Sequence, residues 1–184
     1  MASVAKSKVV EEIDGTYEIF PLPADEETLL AILEDCLEDW EHIHIGPLIQ
    51  GAAWEVRPPR APRITMLDGY ATVDFRDWHF HICIGEHKDA RTPELAKMRQ
   101  TRRAELYRQL NREGKPSSWG LRLFNGAGDQ QMTVLLPHPH LNDDQQLRDE
   151  PDWSRLGLWN RLREKYLALA PDPLDLEAPG FRQR

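Results

Sequence analysis

Cysteine is scarce in this sequence, and a long apolar run is missing from it. The 184 residues include only Cys36 and Cys83, too few for the disulfide framework of a small secreted domain. No stretch is apolar enough over the length that a bilayer span requires, and no secretory signal pattern is recognisable. We therefore expect a cytoplasmic protein that does not enter a membrane.

Basic residues are fewer than acidic ones and are unevenly distributed. The chain has 23 Lys and Arg against 31 Asp and Glu, which gives a formal net charge of -8 and a pI near 5.4. No Lys or Arg lies between Lys8 and Arg57, whereas residues 91–112 form a basic run. Nucleic acids and anionic membranes attract basic surfaces, so this charge argues against either as a general partner.

Length and composition favour one folded domain. With 40% hydrophobic residues, 184 residues can bury one core and do not need two domains. Residues 1–14 are polar and are expected to be a flexible leader. Residues 171–184 contain three prolines and a glycine and are expected to be a flexible tail. The domain is therefore expected to span residues 15–170.

The hydrophobic pattern alternates between strand and helix periods. The dipeptide Asp68-Gly69 predicts a hairpin turn, because both positions of a type I′ turn need positive φ. Thr92-Pro93 predicts the start of a long basic helix that continues to about Arg112. We expect strands at residues 16–20, 64–67, 70–75, 78–85, 119–124 and 131–136, and helices at residues 25–40, 92–112 and 154–169. This order predicts an α+β fold with an antiparallel sheet and helices on one face, and a ferredoxin-like topology fits it best.

The seven histidines fall into three tight clusters. They are His42-Ile-His44, then His79-Phe-His81-Ile-Cys83 with His87 just beyond, and His138-Pro-His140. In a strand, side chains at positions i and i+2 point to the same face, roughly 6.5 to 7 Å apart at Cα. Two imidazoles spaced in this way can bind one ion, so a metal centre is the first hypothesis.

The predicted ligands are His79, His81, Cys83 and His138. Imidazole and thiolate are usual ligands of divalent transition metals, and we expect iron first, with zinc or copper as alternatives. Cys83 could instead be a redox-sensitive thiol or a small buried side chain. If the strands are neighbours, His138 or His140 would complete a three-ligand site with open positions.

Three further residues are candidates for catalysis. His140 or His87 could transfer protons, although His87 could equally be an ordinary loop residue. Arg122 lies in a predicted strand and could bind an anionic small-molecule substrate, or it could pair with Asp74. For His42 and His44 a structural role is favoured.

Short motifs in this chain resemble the DOPA 4,5-dioxygenase family, whose members are extradiol ring-cleaving proteins of ferredoxin-like fold. The segment Trp78-His79-Phe80-His81 followed by a helix is similar to that family's opening strand. Residues 119–125 (WGLRLFN) and 133–139 (TVLLPHP) are similar to its closing strands. The resemblance covers about half of the chain and implies a non-haem iron near His79, His81 and His138.

Three functions are compatible with these patterns. The first is a mononuclear non-haem metal enzyme, similar to an oxygenase, that acts on a small and possibly anionic molecule. The second is a non-catalytic metal-binding or haem-binding protein. The third is an interaction module in which the histidines are incidental. An exposed sheet edge would in addition allow a homodimer.

Overall fold

The computed structural model describes residues 6–49 and 51–181. Two short 3-10 turns span Trp153–Leu156 and Pro173–Glu177. The helices are α1 (Glu26–Glu38), α2 (Pro93–Arg99) and α3 (Gly157–Leu167). The strands are β1 (Lys8–Glu12), β2 (Gly15–Leu22), β3 (His44–Gly46), β4 (Leu48–Ile49), β5 (Ala52–Ala53), β6 (Arg63–Leu67), β7 (Tyr70–Asp74), β8 (His79–Cys83), β9 (Thr101–Leu110), β10 (Pro116–Asn125) and β11 (Gln130–Leu135).

The strands form three sheets. A six-stranded sheet has the order β1-β2-β9-β10-β11-β3, a three-stranded sheet has the order β6-β7-β8, and β4 pairs with β5. The predicted α+β class is confirmed, but the six-strand order is not the ferredoxin-like order that the sequence suggested. No helix in the described part of the chain is long and apolar enough to cross a membrane.

The residues group into two compact units that are interleaved along the chain. Unit 1 consists of residues 1–22, 105–121 and 135–184, and unit 2 consists of residues 23–104 and 122–134. Unit 1 contains β1, β2, α3 and both 3-10 turns, and in it the ring of Phe20 meets the ring of Trp159 edge to face. Unit 2 contains α1, β3 to β8 and α2.

Local signals in the sequence correctly predict several elements of unit 2. The side chain of Asp25 caps α1 by accepting a hydrogen bond from the backbone N–H of Thr28, and Leu29, Ile32, Leu33, Cys36 and Leu37 form its buried stripe. Asp68 and Gly69 have φ values of 49° and 78°. They join β6 to β7 in antiparallel register, with Leu67 opposite Tyr70, as the hairpin prediction requires.

The predicted long basic helix is wrong beyond its first two turns. Thr92 caps α2 as expected, but the helix ends at Arg99 and residues 101–110 form β9. In a continuing helix the Met98 carbonyl would accept the backbone N–H of Arg102, but it accepts the N–H of Gly126 at 2.9 Å instead. Buried Thr101 then donates its hydroxyl hydrogen to the Cys83 carbonyl at 2.9 Å. Tertiary hydrogen bonds therefore outweigh the local preference for helix that predicted a helix over residues 92–112.

The leader and tail both contain ordered structure in unit 1. Residues 8–12 of the expected leader form β1, which pairs antiparallel with β2. Residues 173–177 of the expected tail form a 3-10 turn whose Asp175 is only 1% exposed. Local sequence patterns could not predict the burial of Asp175, because its partners lie far away along the chain. Arg108, Trp119 and Trp159 each donate to its carboxylate at 2.8 to 2.9 Å.

Candidate functional site

The candidate site is an apolar pocket of about 620 Å³ in unit 2. It lies along β8, which is an edge strand of the three-stranded sheet. The pocket is bounded by residues from β3, β7, β8 and β11, by the end of α2 and by the segment after β5. Its apolar lining includes Ile45, Trp54, Val56, Trp78, Phe80, Ile82 and Met132, and its polar lining includes Tyr70, His81, Cys83, Arg99, Asn125 and Gln131.

Aromatic rings dominate one side of this pocket. The Trp78 and Phe80 rings are stacked, with centroids 6.4 Å apart and an interplanar angle of 26°. Trp54 and Val56 line the pocket and are still 49% and 40% exposed. Contiguous exposed apolar surface is typical of a binding site. The position of Trp54 requires a glycine at position 46, because a Cβ there would overlap the Trp54 carbonyl oxygen.

The polar side chains of the lining include a group around Tyr70, Cys83 and Arg99. Tyr70 and Cys83 are direct partners in the β7–β8 pair, and Arg99 interacts electrostatically with both. Burial raises the pKa of the Tyr70 hydroxyl and the pKa of the Cys83 thiol. The thiol donates to the Gly85 carbonyl at 3.5 Å. Since the thiolate is the metal-binding form, this environment disfavours Cys83 as a ligand.

His81 is the imidazole that lines the pocket. Its Nδ1 lies 2.8 Å from the Thr72 hydroxyl, and Thr72 is its direct partner on β7. When Nδ1 carries the proton it donates to this hydroxyl, and the lone pair of Nε2 is then available to a ligand. The His79 ring lies 5.0 Å from the His81 ring, as the strand spacing predicts, but His79 is not part of the pocket lining.

The histidines of unit 1 are used in its internal hydrogen bonds. His138 is 9% exposed. Its Nε2–H donates to the Ser117 carbonyl at 3.1 Å, and its Nδ1 accepts from the backbone N–H of His140 at 3.1 Å. His140 in turn contacts the Ala178 carbonyl through Nε2 at 3.0 Å. Burial lowers the pKa of His138 to about 4, so at neutral pH it is an uncharged structural side chain.

The predicted three-histidine metal site gains no support from this geometry. The lone pair of His138 is already occupied by the backbone N–H of His140, and burial disfavours the thiolate form of Cys83. Within residues 6–49 and 51–181, no group of three or more His, Cys, Asp or Glu side chains is placed to hold a metal ion.

The remaining predicted residues lie outside the pocket lining. The Nε2 of His87 is 3.4 Å from the Asp68 carboxylate, and His87 borders a second cavity. Arg122 is 6% exposed, and its guanidinium carbon lies 5.5 Å from the centroid of the Phe124 ring. His44 is buried and His42 is exposed, so these two do not share a common environment.

Sequence reasoning missed three residues of the pocket, namely Tyr70, Trp54 and Arg99. Tyr70 could have been found from the hairpin register, because a four-residue connection between β7 and β8 places it opposite Cys83. In the predicted long basic helix, Arg99 has no feature that separates it from the other arginines. In the structure it is the last residue of α2, and this position brings it to the pocket. Trp54 carries no local signal.

The sequence matches a family over residues 6–168, and that family is described as "Family of unknown function (DUF7676)". Because the match spans most of the chain, the protein belongs to this family. No curated protein matches the sequence. The resemblance to the DOPA 4,5-dioxygenase family stays a prediction, since no comparison bears on it.

Among solved structures, the fold is similar to that in "Crystal structure of ChuX". The TM-score is 0.50 at 12% sequence identity, and the match covers 81% of this chain and 76% of the other. At that identity the similarity shows the shared α+β fold alone.

Proposed function

We propose that the pocket of unit 2 binds a planar, metal-bearing tetrapyrrole of the haem class, with His81 as the ligand that the protein supplies. The observation that carries this proposal is the pairing of a large aromatic-lined pocket with one imidazole. A pocket of about 620 Å³ lies within the range of roughly 300 to 1,000 Å³ that small-molecule sites occupy.

A haem site and a site for a bare metal ion differ in the number of ligands that the protein must supply. A mononuclear protein site for iron or zinc needs about three protein ligands, and no such group occurs in the described residues. A tetrapyrrole brings four nitrogen ligands of its own and needs one axial side chain from the protein. A single lining imidazole is therefore sufficient, and the haem-binding alternative fits better than a mononuclear non-haem enzyme.

Thr72 would orient the axial ligand. Metal-binding imidazoles usually donate their second N–H to a neighbouring acceptor, which fixes the ring and its tautomer. The Thr72 hydroxyl lies 2.8 Å from Nδ1 of His81 and can accept this hydrogen, which leaves Nε2 for the metal.

The other lining residues match the two chemical parts of such a ligand, the apolar macrocycle and its carboxylate substituents. Trp54, Trp78 and Phe80 would contact the apolar macrocycle through ring stacking and burial of apolar area. Arg99 would pair with a carboxylate substituent, since guanidinium binds carboxylates through two parallel hydrogen bonds. Bound iron would supply a redox-active centre with an exchangeable axial position.

A titration of the purified protein with ferric protoporphyrin IX tests the proposal. We expect saturation at one equivalent with a Soret band typical of histidine-ligated iron. His81→Ala should weaken binding at least ten-fold or shift the band, because it removes the axial ligand. His79→Ala is the matched control, since it removes the neighbouring imidazole on the same strand and should leave both readouts unchanged.

Metal-free protoporphyrin IX separates ligation from apolar fit. We expect wild type and His81→Ala to bind it equally, because no iron is present to be ligated. Equal ferric spectra and affinities for wild type and His81→Ala would overturn the assignment of His81. Failure of the wild-type protein to bind either porphyrin would overturn the tetrapyrrole proposal.

A further inference from the structure

A second cavity in unit 2 has a different chemical character from the apolar pocket. It has a volume of about 400 Å³ and is bordered by the segment after β8, by α2 and by the start of β9. The polar and charged side chains that border it are Glu86, His87, Lys88, Thr92, Lys97, Gln100 and Arg102.

Three cations around this cavity have no acidic partner among the residues that the structure describes. Lys88, Lys97 and Arg102 form no ion pair within the described part of the chain. Glu86 is the one carboxylate that borders the cavity. This arrangement is unusual in a protein in which acidic residues outnumber basic ones by 31 to 23. Unpaired cations around a cavity raise the local concentration of anions and favour their binding.

His87 adds a buried nitrogen that lacks a hydrogen-bond partner. Its Nε2 lies 3.4 Å from the Asp68 carboxylate, which is itself held by the backbone N–H groups of Lys88 and Asp89 at 2.7 and 3.2 Å. The ring packs edge to face on Tyr70. Nδ1 is buried and has no partner. Buried polar atoms are almost always paired, so this nitrogen, on a residue that borders the cavity, can accept a hydrogen bond from a bound molecule.

We propose that this cavity binds a small dianionic phosphate, either inorganic phosphate or the phosphate group of a phosphomonoester. Arg102 suits two oxygens at once, and Lys88 and Lys97 add point charges that offset a dianion. The unpaired nitrogen of His87 offers an acceptor for a P–OH or ester-chain hydroxyl hydrogen. This site is separate from the tetrapyrrole proposal and does not depend on it.

Calorimetric titration of the full chain without porphyrin tests this inference. Inorganic phosphate is titrated at constant ionic strength with chloride as the balancing anion, and glycerol 2-phosphate is titrated in a parallel series. We expect one phosphate per chain, and Lys97→Gln/Arg102→Gln should weaken binding at least ten-fold. The matched control is Lys8→Gln/Arg112→Gln, which removes the same charge from exposed sites in unit 1 and should leave the affinity unchanged.

The two ligands distinguish the two phosphate sources. Tighter binding of glycerol 2-phosphate than of inorganic phosphate identifies an ester as the ligand, and the reverse order identifies the free ion. Equal affinities for wild type and Lys97→Gln/Arg102→Gln, with the circular dichroism spectrum of each unchanged, would overturn the site. Citrate binding as tight as phosphate binding would overturn its restriction to phosphates.

Discussion

The histidines of unit 1 differ from His81 and His87 of unit 2 in how many of their ring nitrogens form hydrogen bonds. In unit 1, His138 is buried and both of its nitrogens are hydrogen-bonded. In unit 2, His81 lines a pocket and its Nδ1 lies 2.8 Å from the Thr72 hydroxyl, whereas the buried Nδ1 of His87 has no hydrogen-bond partner among the described residues. Saturated polar groups stabilise a fold, and unsaturated ones at a cavity are available to ligands. The same HxH spacing therefore occurs in two different environments, one buried and hydrogen-bonded and one beside a pocket.

The charged side chains of the two units also differ in whether they form ion pairs. Asp175 in unit 1 accepts hydrogen bonds from Arg108 and from two indole N–H groups, and it is almost fully buried. In unit 2, Lys88, Lys97 and Arg102 around the second cavity form no ion pair within the described residues. The Arg108 guanidinium therefore has its counter-charges within unit 1, in Glu18, Asp172 and Asp175, and the proposed phosphate would supply the counter-charge for the cations of unit 2.

Removing the central acceptor of unit 1 should have the largest effect. Asp175→Ala leaves the Arg108 guanidinium and two buried indole N–H groups short of a partner. We expect the free energy of unfolding to fall by about 4 kcal/mol, since breaking a buried pair leaves its partners desolvated and unpaired. Urea denaturation monitored by tryptophan fluorescence measures this change.

Asp149→Ala is the matched control for that experiment. Asp149 is exposed in the same unit, so its removal should change stability by less than about 0.5 kcal/mol. Similar losses for the two variants would show that Asp175 has no special role in unit 1.

Acidification should weaken unit 1 through His138. Its pKa is lowered to about 4 in the folded protein by burial and is near 6.5 when unfolded. The unfolded chain therefore binds the proton first, and this contribution to stability is complete above pH 6.5 and is lost as the pH falls toward 4. We expect stability to be about 2 kcal/mol lower at pH 5 than at pH 7 on this account.

A pair of variants isolates the contribution of His138. His138→Gln should reduce the loss of stability between pH 7 and pH 5, and His79→Ala, which removes an exposed imidazole, should leave it as in wild type. An unchanged pH dependence in His138→Gln would assign the acid sensitivity to other groups.

These expectations show which parts of the molecule local sequence could predict. Asp68-Gly69 and the Asp25 cap act within a few residues, so the hairpin and α1 were predictable. The end of α2 depends on a hydrogen bond from Gly126 to Met98, which joins positions far apart in the sequence. The burial of Asp175 depends on Arg108 and two tryptophans for the same reason.

The candidate site was predictable to a similar extent. The HxH spacing correctly placed His79 and His81 side by side on one strand. It could not show that His81 alone of the two lines a pocket, because this depends on Trp54, Arg99 and other residues from separate elements. The role of His138 was likewise hidden, because its hydrogen-bond partner Ser117 lies on another strand.

The smallest of the three effects concerns the pocket of unit 2. Trp54→Ala removes a half-exposed ring from its lining and should weaken porphyrin binding about five-fold, which corresponds to about 1 kcal/mol. The stability of the porphyrin-free protein should change little. Leu67→Ala is the control, because Leu67 is another exposed apolar residue of unit 2 outside the lining and should have no effect on binding.

A crystal structure of the protein grown with ferric protoporphyrin IX would show where the macrocycle binds and which side chain ligates its iron. We expect the macrocycle between the aromatic side chains of the pocket, with Nε2 of His81 on the iron and Nδ1 hydrogen-bonded to Thr72. A porphyrin bound elsewhere on the chain, or bound in this pocket with its iron ligated by a side chain other than His81, would contradict this expectation.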